Sequence, residues 1–242
     1  MPLGYGVLSN DTIDGYSACG IVQISVFKEW GGTVREASRL AGCCRDIGLR
    51  YAIHPVGFYL SETRDKERAE TLAALRELAA ITGTALIVHD EGTPWGSRLE
   101  GIFAEAYAGA LKELSRISPV SIENAHDTPN VKWFWGRYAK SITLDIGHVE
   151  AAGMDSLQFV EGLGEEIIEK IDFVHIHRCN GHRKDGSNDH WGLDAGCREL
   201  KALGQLLNKK SAPVDIIIEV IEKDQILSSL KLIESVMEDR CS

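Results

Sequence analysis

The 242-residue chain has no C-x-x-C pair, no G-x-G-x-x-G behind a strand-like segment, no apolar run near the roughly 18 residues of a membrane span, and no excess of positive charge. Each absence removes a class. Without C-x-x-C, the six cysteines (19, 43, 44, 179, 197 and 241) read as reduced, mostly structural thiols and not as a zinc finger or a disulfide frame. Cys179 is the exception, because it lies beside candidate ligands, where it reads as a bystander or, alternatively, as a soft ligand. Without a long apolar run, or a basic n-region in MPLGYGVLSN, a soluble cytoplasmic protein with no membrane partner is expected. The 26 basic residues are outnumbered by 36 acidic ones, and the formal charge of −10 argues against a nucleic-acid partner, whose affinity rests on Lys and Arg. One local basic cluster, Arg178, Arg183 and Lys184, reads as a solvated loop or, alternatively, as an anion clamp for a substrate phosphate or carboxylate.

What is present is a set of short apolar runs that break off on an acid or a histidine. They are Tyr51-Ala-Ile-His54, Ala85-Leu-Ile-Val-His89, Val120-Ser-Ile-Glu123, Ile142-Thr-Leu-Asp145, Phe173-Val-His175-Ile-His177 and Ile216-Ile-Ile-Glu219. Asp, Glu and His together fill fewer than one position in five, so six such endings are not an accident of composition. In SITLDIGH a buried strand stops on Asp145, and a glycine turn brings His148 round to the same mouth, the spacing of a metal pair. A carboxylate cannot stay in that core without a partner.

Eight strand-like segments alternate with connections that are mostly helical. Strands are expected at 4–8, 21–27, up to His54-Pro55, up to His89, up to Glu123, up to Asp145, at 172–177 and at 215–220. The first connection, through 10–20, is too short for a full helix. Thr33 is a plausible N-cap, with Glu36 at the capping-box offset and Gly48 as the stop. Further helices are expected at 66–82, 97–117, 131–139, in short pieces over 155–170, at 197–208 and at 225–237. Trp133, Phe134 and Trp135 read as packing between barrel and helix. This order specifies an α/β fold, a single-domain (β/α)8 TIM barrel with a short or irregular first crossover, in which chemistry sits at the carboxyl ends of the strands. An open doubly wound sheet is the alternative.

The motifs SIENAHD (Glu123), TLDIGHVEAAG (Asp145, His148), FVHIHRCNG (His175), SNDHWGLDAG (His190) and IIIEV (Glu219), with AIHP (His54) and IVHD (His89), resemble the xylose isomerase-like barrels. That superfamily includes endonuclease IV and the tagatose 3-epimerase type enzymes. The resemblance implies that Glu123, Asp145, His175 and Glu219 hold one divalent metal as in the epimerase branch. It implies that His54, His89, His148 and His190 correspond to the extra positions of the three-zinc centre of the endonuclease branch. The chain departs from that branch where D-x-H reads Asn188, Asp189, His190 and where L-G-E-G reads Leu193-Asp194-Ala195-Gly196, which leaves the number of metals open. Mixed carboxylate and imidazole ligands suit Mn²⁺, Zn²⁺, Co²⁺ or Fe²⁺ over Ca²⁺, with Mn²⁺ or Zn²⁺ foremost.

The leading expectation from the resemblance is a sugar or sugar-phosphate isomerase or epimerase. Glu123 and Glu219 would face each other as base and acid, and His148, His177, Arg178 and Asn124 would touch the substrate. Of His175 and His177, close together on one strand, His177 is expected to turn away from the barrel axis into a structural role. The runner-up is a phosphodiesterase acting at abasic sites in DNA, and the third reading is a barrel that only binds a metal or a small ligand.

Overall fold

Eight parallel strands close on themselves in sequence order, the first pairing with the last through Leu3 and Ile216, Gly4 and Ile217, and Tyr5 and Ile218. The computed structural model describes residues 2–8, 19–29, 33–180 and 188–239. The strands are β1 (Leu3–Leu8), β2 (Ile21–Phe27), β3 (Arg50–Val56), β4 (Leu86–His89), β5 (Val120–Glu123), β6 (Ser141–Asp145), β7 (Ile171–Ile176) and β8 (Asp215–Ile218). The helices are α1 (Val34–Asp46), α2 (Asp65–Ile81), α3 (Gly101–Leu114), α4 (Val131–Tyr138), α5 (Ile146–Ala151), α6 (Ser156–Glu161), α7 (Glu165–Ile168), α8 (Arg198–Lys209) and α9 (Lys223–Asp239). The expected (β/α)8 barrel is the fold observed. The first crossover, and Arg183, Lys184 and Cys241, lie outside the described residues.

Local chemistry accounts for the element boundaries. Glu36 N–H donates to the Thr33 hydroxyl and Thr33 N–H to the Glu36 carboxylate, each at 3.2 Å, which completes the capping box of α1. Gly48 then turns the chain with φ of +69°. Helix α8 buries Leu200, Leu203, Leu206 and Leu207 along one face, the stripe that a surface helix needs against a sheet. Trp135 is fully buried, and its indole N–H donates to the Ile122 carbonyl at 3.1 Å; this aromatic segment packs helix against barrel as its composition suggested.

The interior of the barrel is layered. Ile21, Ala52, Ala85, Ile87, Phe173 and Ile217 fill its lower part, and Ser121 and Thr143 join them by a 2.7 Å hydroxyl pair. Side chains two residues further along a strand point to the same side. The next inward layer is therefore Gln23, His54, His89, Glu123, Asp145, His175 and Glu219, each two residues beyond a member of the lower one. All the charged endings reach a common mouth because they share this parity.

Candidate metal centre

Four of the candidate ligands, His54, Asp145, His148 and Glu219, are held in place by hydrogen bonds with neighbouring segments. His54 Nδ1 donates to the Ile87 carbonyl at 3.1 Å, which leaves Nε2 bare and directed inward. Asp145 serves as N-cap of α5: its Oδ1 accepts the His148 N–H at 2.7 Å. Asn124 clamps it from behind, donating to the Asp145 carbonyl and accepting the Asp145 N–H, both at 2.8 Å. His148 Nδ1 donates to the Asn124 carbonyl at 2.9 Å, so this imidazole also presents Nε2. Gln23 donates to Glu219 Oε1 from β2.

Three groups of nitrogen and carboxylate ligands result, with the ligand atoms of each lying within 4.8 Å of one another. They are His54, His89 and Glu123; Glu123, Asp145, His175 and Glu219; and His148, His177 and His190. The structure thus brings together every predicted metal-ligating residue. His54 and His89 oppose their Nε2 atoms at 3.2 Å. His175 Nδ1 lies 3.2 Å from Glu123 Oε1 and 3.3 Å from Glu219 Oε1.

The donor set fits a divalent cation. Both oxygens of Glu123, Oδ2 of Asp145 and both ring nitrogens of His175 are buried without a hydrogen-bond partner, although Glu123 and Asp145 are fully enclosed. Enclosing an ion in this way costs several kcal/mol unless a counter-charge is present. Burial alone would push the Glu123 carboxyl up, but the His175 and His54 imidazoles outweigh it and hold Glu123 well below the usual carboxylate range. Asp145 is held low against burial by His148 and His177. The same attraction runs the other way: against burial, Glu219 and Glu123 raise His175 to about 9, and Asp145 and Glu123 raise His148 well above the ordinary value. His89 is the opposite case, pushed down to about 3 chiefly by burial and so available as a neutral ligand. Protons on the raised imidazoles occupy the electrostatic place of a cation and leave when one binds.

Several expectations are revised. His177 does not turn away: Phe173, His175 and His177 share one parity, and the His177 ring is fully buried with Nε2 at 3.3 Å from Asp145 Oδ1, an electrostatic contact without hydrogen-bond alignment. The Asn124 amide is engaged at both ends by the Asp145 backbone, an anchoring position and not one open to substrate. Arg178 pairs with Asp194, so the described part of the basic cluster is neutralised within the chain. The Cys179 thiol donates to the Gly147 carbonyl at 3.2 Å, burial pushes it up to about 12, and it belongs to none of the three ligand groups. The glycine turn after Asp145 is in fact the first turn of α5.

Sequence reasoning passes over five residues. Asp90 accepts backbone N–H groups of Ala125 (2.7 Å), His126 (2.7 Å) and Asp127 (3.0 Å), and Glu91 accepts those of Leu60 (2.7 Å) and Ser61 (2.9 Å). This buried acidic pair, directly after His89, ties down the loops on either side of it. The loops present Tyr59 and His126, whose rings stand 5.7 Å apart, with His126 5.1 Å from His89. Gln23 has a visible signal, an amide inside the apolar run IVQISVF, and His126 lies within the motif SIENAHD.

No family model matches the sequence, and no curated protein matches it. The fold is similar to solved structures. A D-tagatose 3-epimerase-like protein superposes with a TM-score of 0.74 at 17% identity, over 100% of both chains. Endonuclease IV from Thermus thermophilus superposes at 0.68 with 17% identity, over 99% of this chain and 100% of that one. The IOLI protein with a bound zinc atom superposes at 0.62 with 13% identity, over 99% and 97%. At such identity the likeness establishes the shared eight-stranded barrel fold alone. Among the described residues no helix is long and apolar enough to cross a membrane.

Proposed function

We propose that this chain is a metal-dependent phosphodiester hydrolase with a polynuclear centre built around Glu123. The observation that carries the reading is the division of that carboxylate. Oε2 lies 3.3 Å from His54 and 3.6 Å from His89, while Oε1 lies 3.2 Å from His175. One oxygen faces each of two ligand groups, so this carboxylate would serve both if ions were held there, which disfavours its use as a base on a C–H bond. A Glu123 committed on both oxygens suits displacement at phosphorus, which needs a clamp on the attacking and leaving oxygens, better than a two-glutamate proton transfer.

Divalent ions held here supply Lewis acidity toward phosphoryl oxygens and lower the pKa of water. The remaining work belongs to the chain. Asn124 and Gln23 fix Asp145 and Glu219, the Ile87 and Asn124 carbonyls orient His54 and His148, and Tyr59 and His126 flank the approach at the rim. The net charge of −10 and the direct passage of β6 into α5 favour a small or single-stranded phosphodiester over a duplex.

The test is to load the protein with Zn²⁺ or Mn²⁺ and offer it a dinucleotide, a single-stranded oligonucleotide and an abasic-site duplex. Cleavage that vanishes in both Glu123→Gln and His89→Ala is the expected result. A second reading, a sugar or sugar-phosphate isomerase, is favoured by one feature: Glu123, Asp145, His175 and Glu219 compose a one-ion shell by themselves. Entry of solvent deuterium into a ketose or its phosphate, with no phosphodiester cleaved, would replace the first reading by the second.

A further inference from the structure

We infer that His177 is a positioning residue for Asp145 and not a metal ligand, so that the centre takes two divalent ions. The inference rests on the metal centre just proposed but not on its substrate.

The third ligand group is three imidazoles, and two observations remove His177 from it. The backbone N–H of His190 donates to His177 Nδ1 at 2.9 Å. A nitrogen that accepts a hydrogen bond carries no proton, so the neutral ring holds its proton on Nε2, the nitrogen that faces Asp145 Oδ1. A protonated nitrogen has no lone pair for a cation. The rings of His177 and His190 are also stacked, with centroids 4.3 Å apart and planes within 7° of parallel. An imidazole binds a metal in its own plane, and two nearly parallel, separated planes share no point near both rings.

What remains at the third position is His148 and His190 with no carboxylate of its own: Glu219 Oε2 stands 3.6 Å from His190 Nε2, but Glu219 already belongs to the second group. Asn188 stands where a carboxylate ligand was expected from the D-x-H comparison, and Asp189 is engaged by His190 Nδ1 at 3.0 Å. Two neutral imidazoles are a poor site for a divalent ion beside two groups that each include carboxylate.

The place of His177 is built into the fold from both sides. A Cβ on Gly147 would overlap the His177 ring, so the glycine of DIGH is what admits the imidazole. His190 delivers its N–H from a backbone φ of +58°, the one positive φ at a non-glycine residue among those described. Held there, His177 Nε2 faces Asp145 Oδ1 at 3.3 Å while the His148 N–H donates to the same oxygen, which leaves Oδ2, a buried oxygen without a hydrogen-bond partner, for the cation.

Equilibrium dialysis against Zn²⁺ followed by elemental analysis should give two ions per chain, and His89→Ala should give one. His177→Ala should keep two ions while the tighter of them weakens about 10-fold, the scale of a lost orienting partner. His177→Asn, which can accept from His190 and donate to Asp145, should recover most of that loss. In the metal-loaded native protein, nitrogen-detected NMR of the His177 ring should show the Nε2–H tautomer, a readout independent of any variant. Three ions in the native protein, falling to two in His177→Ala, would overturn the inference, as would one ion or a metal-shifted His177 Nε2. Because ions are counted without substrate, failure of the phosphodiesterase reading and failure of this one are separately visible.

Discussion

Replacing Asp90 by Asn tests how the mouth of the barrel is held. The Asp90 carboxylate is fully buried and accepts three backbone N–H groups, two on Oδ1 and one on Oδ2. An asparagine oxygen can keep the pair from Ala125 and His126, but its NH2 then faces the Asp127 N–H, donor against donor. Hydrogen bonds to a charged group contribute about 1.5–3 kcal/mol each and neutral ones about 1, and an orphaned buried N–H costs about 1–3 kcal/mol. Against this stands the cost of burying the charge, which raises the Asp90 carboxyl above its ordinary value despite its N–H partners. The net loss should be about 2–3 kcal/mol, read as a lower urea midpoint with an unchanged slope. Asp90 is not a ligand, so bound metal should be retained while KM rises, because His126 loses its anchor. A loss below about 0.5 kcal/mol, or a loss of metal, would refute the assignment of Asp90 as a loop anchor.

Three other outcomes follow from the same geometry. Burial raises the Glu91 carboxyl from 4.5 to about 7 against its N–H partners, so its protonated form is favoured by folding. The stability it contributes is complete below pH 4.5 and is lost as pH rises through 7, by up to about 3 kcal/mol, and Glu91→Gln should flatten that part of the unfolding profile. Gly147→Ala should expel the His177 ring and destabilise the fold by about 2–4 kcal/mol in thermal unfolding, with weaker metal binding, through overpacking in a filled core. Gln23→Leu should weaken metal binding about 10-fold or more in a calorimetric titration, because Glu219 loses its orienting donor.

The barrel is legible in the sequence because its strands are apolar runs with a charged end, a pattern that states both where a strand stops and which way it points. Helix starts are less legible. The helix expected from residue 97 begins at Gly101, because Thr93 N–H donates to the Ser97 carbonyl at 2.9 Å and holds a turn there instead. Helix α5 reads as a turn because glycine at 147 lowers helix propensity, while the Asp145 cap that forms the helix depends on a side chain that also reads as a ligand. The outward placement of His177 is a parity error that Phe173 and His175 correct. Asp90 and Glu91 leave no sequence signature, because their partners are backbone N–H groups of neighbouring loops, which nearly every residue carries.

The layered interior also bears on how the barrel keeps its shape. The inward ligands sit on or just beyond six consecutive strands, β3 to β8, and Gln23 reaches across from β2 to the last of them. Cations held there would replace the protons on His175 and His148 as the counter-charge between Glu123, Asp145 and Glu219 and would tie the upper rim together more tightly. Loading and tightening of the barrel are then one event, and a chelator should lower its melting temperature as well as silence it, by an amount that grows with the logarithm of free metal.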